Sequence, residues 1–247
     1  MKLLAFLSAL SLLSPYAEAK DCRKSPIKIA VIDSGFGYFG KGHKAHLCKY
    51  GHKDFSSDTA FYEAYNTEVR VPLDIHGHGT NIAGIIDNYA KESGVNYCIV
   101  VIKYFSINHT GQQNLDASIA SIRYATNIKV DYINYSGGGV DFSIAEAQAV
   151  KRFLDNGGRL IAAAGNENSN LDMSSFYPAM YDKRIIVVGN HTAHGVRSYL
   201  SNYGSPVKRW EVGENVNAYG ITLTGTSQAT AVATGKIVSE SKCDIRN

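Results

Sequence analysis

Four side chains of the kinds used in acyl chemistry stand in short, glycine-flanked stretches of this chain. Ser227 lies in GTSQAT, residues 225–230, just before a stretch that reads as a helix. Taken alone, GTSQAT reads better as a helix cap, because Ser and Thr oxygens accept from the free N–H groups of a helix start. The other reading is a nucleophile. Asp33 closes the apolar run of VIDSG, and a carboxylate at a strand's carboxyl end stands where α/β proteins build sites. The glycines after it do not have G-x-G-x-x-G spacing, so no dinucleotide fingerprint is present. His76 and His78 flank Gly77 in DIHGHGTNIAGII, residues 74–86. A metal pair would need a third ligand, and the H-E-x-x-H pattern is missing. A general base opening a helix is the alternative, with Gly79 and Thr80 allowing close approach. Asn166, in AAAGNEN, follows an apolar run and presents an amide able to donate to an oxyanion, or else a plain turn. NYSGGG, residues 134–139, exposes backbone with little side-chain bulk, which suits a peptide lying flat against it or a flexible loop.

These residues need elements to hold them. Five short β-branched runs read as strands: 27–33, 97–103, 130–136, 159–164 and 184–189. Continuous apolar runs of this length suit a parallel sheet covered on both faces. Residues 114–126 and 143–158 have apolar positions at helical spacing. The second opens on a capping box, Ser143 to Glu146, and stops at Gly157. Alternating strands and helices imply βαβ units with right-handed crossovers. The expected fold class is α/β: three layers, a mostly parallel central sheet and helices on both faces. No repeat or linker interrupts it.

The chain has 247 residues, 45% hydrophobic and 19% charged, which fits one well-cored domain rather than a disordered segment. The formal charge of +3 comes with no long Lys/Arg run, and the basic residues of 41–53 are scattered, so no nucleic-acid partner is expected. Residues 1–19 form a different unit: Lys2, the apolar run LLAFLSALSLL and an A-x-A end. These are the marks of a secretory signal peptide, cleaved after Ala19, and the run is too short to span a membrane. Residues 20–247 then form the mature domain, secreted to an extracellular or periplasmic space. A buried N-terminal helix is the competing reading. Secretion lets cysteines pair. Cys22, Cys48, Cys98 and Cys243 allow three connectivities; at least one disulfide is expected, with Cys48–Cys98 and Cys22–Cys243 as the working guess and a buried thiol at Cys98 as the alternative. Asn108 and Asn190 each begin N-x-Thr, a pattern that matters only in a glycosylating cell.

An Asp, a His, an Asn and a Ser in that order, each just after a strand or opening a helix, together resemble the subtilisin-like serine proteases. The stretches that carry the resemblance are VIDSG, HGTNIAG, NYSGGG, AAGNEN, YPAMYDKRIIVVGN, SNYG and GTSQAT, running in family order from Ile27 to about Gly235. The Asp, His, Ser order is the family's own. The resemblance implies a secreted serine endopeptidase acting on protein or peptide substrates, with Ser227 as nucleophile, His78 as its base and Asp33 holding the other ring nitrogen. It implies an oxyanion hole from Asn166 and the Ser227 N–H. Ser136, Gly137 and Gly138 would pair with the substrate backbone, while Ala163, Ala164, Gly165 and Asn166 would wall the pocket for the residue before the cut. His76 would be a neighbour without a catalytic part. No cofactor or metal is implied, and no convincing calcium loop is found.

The sequence departs from the family pattern in places. Gln228 stands where Met is usual and Ala231 where Pro is usual, so the helix after Ser227 should be straighter. WEVG, residues 210–213, replaces Ala-Pro-Gly and puts that loop's shape in question. No prodomain is recognised, so the domain is expected to fold unaided or with a separate partner or inhibitor. An alternative is a silent subtilisin-like domain that binds peptides or proteins; keeping all four chemical residues argues against it. An α/β-hydrolase esterase fails on chain order and on G-x-S-x-G context.

Overall fold

Apolar runs become sheet wherever both faces are covered. The computed structural model describes residues 25–38, 45–56 and 69–241. Residues 1–19, with their expected signal peptide, and Cys22 and Cys243, with their expected pairing, lie outside them. β1 (Ile27–Asp33), β2 (Lys53–Asp54) and β3 (Tyr97–Lys103) lead into β4 (Tyr132–Tyr135), β5 (Arg159–Ala163), β6 (Ile186–His191) and β7 (Arg209–Val212). All seven pair in parallel, in the order β2-β3-β1-β4-β5-β6-β7. Helices α1 (His78–Ala90) and α4 (Thr226–Ser239) cover one face, and α2 (Gly111–Asn127) and α3 (Ile144–Asp155) the other. Period-two alternation assigns the residues. Ile29, Val31, Ile99, Val101 and Ile161 pack with α1 and α4, while Ala30, Ile32, Val100, Ile102, Leu160 and Ala162 pack with α2 and α3. The three-layer α/β architecture is therefore present.

Strands β1 and β3 have the expected limits. The run expected from 184 starts at Ile186, because Asp182 closes a turn first: its carboxylate accepts from Arg184 N–H (2.9 Å) and its carbonyl from Ile185 N–H (3.0 Å). β2 and β7 carry no apolar run, as is usual at sheet edges. In β7, buried Glu211 accepts from Arg209 Nε (2.7 Å) and Lys236 Nζ (2.6 Å), so WEVG forms an ion-paired edge strand. Beyond it, β8 (Val216–Ala218) and β9 (Ile221–Leu223) form a hairpin closed by Tyr219 and Gly220, both at positive φ. Such turns normally announce themselves with Asn-Gly, which this one lacks.

α2 begins three residues earlier than its apolar spacing suggests, on a complete capping box between Thr110 and Gln113. The box expected at Ser143 is only half made. Ser143 Oγ accepts from Glu146 N–H (3.3 Å), but the Ser143 N–H donates to Tyr181 Oη (3.1 Å), and the Glu146 carboxylate turns elsewhere. Of the glycosylation patterns, Asn108 is exposed, while Asn190 is buried and accepts from Gly213 N–H (2.8 Å).

Cys48 and Cys98 form a disulfide that ties residues 45–48 to β3 across a separation of 50 residues. Loop-closure entropy for that length corresponds to about 4 kcal/mol. Replacing both cysteines (Cys48→Ser with Cys98→Ala) is expected to lower Tm by about 10 °C, read by calorimetry; an unchanged Tm would mean that the bridge does not constrain the chain.

Candidate active site

The chain leaves β1 toward β2 and β3 on one side and reaches β4 on the other. Such a reversal opens a crevice at the strands' carboxyl ends. Asp33 ends β1, Ser136 follows β4, and Asn166 follows β5. α1 and α4 both start at this edge, which brings His78 and Ser227 to it.

The start of α1 is held by Asp74, four residues before His78 and 1% exposed. Oδ1 accepts from the Ser34 hydroxyl (3.0 Å), His76 N–H (2.9 Å) and Gly77 N–H (2.8 Å). Oδ2 accepts from the N–H (2.9 Å) and hydroxyl (2.7 Å) of Thr80. Gly77, at φ +93°, is the residue before the helix and has no side chain with which to cap it, so Asp74 does the capping from a distance. Lys103 supports the same segment by donating to Leu73 O (3.1 Å). The Asp74 signal, an acid just before a helix start, was visible in the sequence but overshadowed by the two histidines.

His78 Nδ1 stands 2.8 Å from Asp33 Oδ1, which also accepts from Ser34 N–H (2.8 Å). Burial opposes a charged imidazole, but the charge and hydrogen bond of Asp33, together with the charge of Asp74, outweigh it and raise the His78 pKa above 6.5. His76 is exposed and stacks edgewise between His78 and Phe105, at 6.2 and 5.6 Å between ring centroids.

Ser227 does not cap α4: the cap position belongs to Gly225, with no side-chain bond, and Ser227 sits inside the first turn. This corrects the capping reading of GTSQAT. The serine is 9% exposed. Its hydroxyl donates to Ser136 O (2.8 Å), and the Ser136 hydroxyl donates back to Ser227 O (3.0 Å). Ser136 Oγ also accepts from Asn134 Nδ2 (2.9 Å), and Asn134 Oδ1 accepts from Thr234 Oγ1 (2.8 Å). A buried polar chain thus ties α4 to the end of β4. Gln228 has a partner in Asn81: its Nε2 donates to Asn81 Oδ1 (3.1 Å), while Asn81 Nδ2 donates to Ile221 O (2.8 Å). This links the Ser227 helix, α1 and the β8–β9 hairpin.

Asn166 is exposed, and its Oδ1 accepts from Thr226 N–H (2.9 Å) and Thr226 Oγ1 (3.1 Å). Those bonds engage Oδ1 and not Nδ2. Gly138 is exposed, and among the described residues neither Gly137 nor Gly138 makes a backbone hydrogen bond outside helices and strands. Ala163, Ala164 and Gly165 lie on the β5 side and are buried, with Ala164 in the α2/α3 core. They do not line the large cavity of about 780 Å³, which opens on the other side of the glycine segment. Among the described residues no His, Cys, Asp and Glu cluster could hold a metal ion, and no helix is long and apolar enough to cross a membrane.

The subtilase family model matches residues 24–239. The chain is 31% identical over 230 residues to Subtilisin DY of Bacillus licheniformis, covering 88% of this chain and 77% of that protein. It is 29% identical over 237 residues to the major intracellular serine protease of Bacillus subtilis (strain 168), covering 91% and 71%. Among solved structures, a cold-adapted subtilisin-like serine proteinase is 26% identical, with a TM-score of 0.64 over 84% of this chain and 72% of that one. The nisin leader peptidase of Lactococcus lactis, at 20% identity, shares the fold with a TM-score of 0.67 over 90% and 79%. This chain belongs to the subtilase family and is a subtilisin-like serine endopeptidase.

Proposed function

We propose that the protein is an exported endopeptidase that cuts peptide bonds through Asp33, His78 and Ser227, with Asn166 completing the oxyanion hole. The observation that carries this reading is the 2.8 Å contact between His78 Nδ1 and Asp33 at the same sheet edge as Ser227. That contact leaves the other ring nitrogen, Nε2, as the proton acceptor. A turn of the Ser227 side chain away from Ser136 O would deliver its hydroxyl to that nitrogen; such bonds are often made only once substrate is bound. The Ser227 Oγ then attacks the scissile carbonyl and its proton passes to His78. The tetrahedral oxyanion accepts from Asn166 Nδ2 and the Ser227 N–H, aided by the positive end of α4. His78 returns the proton to the leaving amine, and water repeats the sequence on the acyl-enzyme. Gly137 and Gly138 offer the peptide an unpaired edge. Fluorophosphonate labelling of the purified protein, against Ser227→Ala, tests the reading: wild type labels and the variant does not. A folded wild type that fails to label would mean the silent peptide-binding domain, which family membership does not favour.

Asn166→Ala is expected to lower kcat by 10²–10³-fold with KM little changed, a magnitude taken over from a related subtilisin. Steady-state kinetics would refute the oxyanion role if KM alone moved.

Export rests on the pattern of residues 1–19 and on the Cys48–Cys98 bridge, since such bonds persist in oxidising compartments. Similar proteins of Bacillus subtilis (strain 168) include both the minor extracellular protease Epr and the major intracellular serine protease. N-terminal sequencing of exported protein is expected to begin at Lys20; a chain retaining residues 1–19 would exclude signal cleavage. The mature domain is then residues 20–247.

A further inference from the structure

The large cavity lies beside the glycine segment, on the side away from Ala163, Ala164 and Gly165. Its walls come from Asp33 and His78, from Tyr104 and Phe105 after β3, and from α2 and α3. At about 780 Å³ it has room for more than one side chain. Among the described residues, three carboxyl groups line it, those of Asp33, Asp141 and Glu146, and no Lys or Arg does.

Glu146 is the unusual member. It is 4% exposed, and among the described residues no ion pair reaches it. Its carboxylate does not close the Ser143 capping box but faces a relay of donors. Tyr135 Oη donates to Ser118 Oγ (2.8 Å), Ser118 Oγ donates to Glu146 Oε1 (2.5 Å), and Tyr181 Oη donates to Oε2 (2.8 Å). Each oxygen keeps a lone-pair direction for another donor. Burial pushes this carboxyl above its ordinary range, and the Ser118 and Tyr181 bonds offset part of that. A buried acid without a counter-charge is relieved by an incoming cation. Around it, Phe142 meets Tyr177 and Tyr181 edge-on, at 5.4 and 5.6 Å, offering aromatic surface to an alkyl stem or a guanidinium plane. Gly137 keeps the passage open: a Cβ there would collide with the Tyr104 hydroxyl.

We propose that Glu146 makes this cavity a subsite for a basic side chain of the substrate, arginine above lysine, at the fourth residue before the cut. The inference rests on the endopeptidase reading above. Successive side chains of an extended peptide point to opposite sides. If the residue before the cut turns to the β5 side, the second and fourth turn into this cavity. The second then lies beside His78 and His76. The fourth, about 7 Å farther along, reaches Phe142 and Glu146.

The test uses fluorogenic peptides identical except for Arg, Lys, Met or Glu at that fourth position. Wild type is expected to favour Arg over Met by about tenfold or more in kcat/KM, with Glu the poorest. In Glu146→Gln the Arg-to-Met ratio should fall toward one; because the ratio is internal to each variant, a general loss of activity cancels. Equal or faster cleavage of the Met peptide by wild type, or a preference that survives in Glu146→Gln, overturns the proposal. The wild-type comparison stands alone if Glu146→Gln does not fold. If wild type cleaves nothing, the endopeptidase reading fails separately, and the subsite is judged on binding of the Arg and Met peptides to Ser227→Ala: tighter Arg binding supports it and equal affinity refutes it.

Discussion

Ser227→Ala is expected to lower kcat by about 10⁶-fold and to abolish fluorophosphonate labelling, a magnitude taken over from a related subtilisin. The loss should not come from unfolding. The replacement removes one hydroxyl and one hydrogen bond, that to Ser136 O, whose net worth is about 1 kcal/mol. Both the Ser136 bond to Ser227 O and the Gln228–Asn81 link remain, so α4 keeps its attachments to β4 and α1. Thermal melting of the variant should stay within a few degrees of wild type. In the proposed mechanism, what is lost is the attacking atom. Activity above about one per cent of wild type in a clean preparation would mean that a different group attacks, and the assignment of His78 as its base would go with it.

The parts of this molecule that the sequence announced are those in which one residue type has one job. β1 and β3 read correctly to the residue because unbroken β-branched runs have few other places to go. Asp33, His78, Asn166 and Ser227 stood out as candidates because each lies at or near an element's end within two residues of a glycine. Less legible were groups whose partners are distant in sequence. Nothing local says that Gln228 will meet Asn81 across 147 positions, or that Ser136 and Ser227 will exchange hydroxyl bonds across 91. Glu146 is the clearest case. Ser-x-x-Glu is a capping signature, yet Tyr181, 38 residues beyond Ser143, takes over the bond to Ser143 N–H, and the freed carboxylate faces the cavity. β7 and the β8–β9 hairpin escaped notice because an edge strand built on ion pairs and a Tyr-Gly turn carry neither an apolar run nor the usual turn pair.

Asp33→Asn should cost about 10⁴-fold in kcat/KM at neutral pH, and the pH profile should distinguish its cause from simple weakening. In the proposed triad the Asp33 carboxylate, which can only accept, holds the proton on His78 Nδ1, 2.8 Å away, and leaves Nε2 to accept from Ser227. An asparagine can present its NH₂ to the ring instead, and the tautomer then reverses. The second effect is on charge. In wild type the Asp33 and Asp74 carboxylates overcome burial and hold the His78 pKa above 6.5. A general base must be neutral, so activity is lost as pH falls through that pKa, and the acid limb of kcat/KM should lie above 6.5. Without the Asp33 charge the largest remaining influence is burial, which disfavours imidazolium. The limb of Asp33→Asn should therefore move to lower pH while the plateau collapses. A collapsed plateau with an unmoved limb would mean that the limb belongs to another group. A limb moving to higher pH would contradict the electrostatics, because removing a neighbouring negative charge cannot make an imidazole hold its proton more tightly. The downward shift therefore tests whether the 2.8 Å contact both orients the ring and tunes its proton affinity.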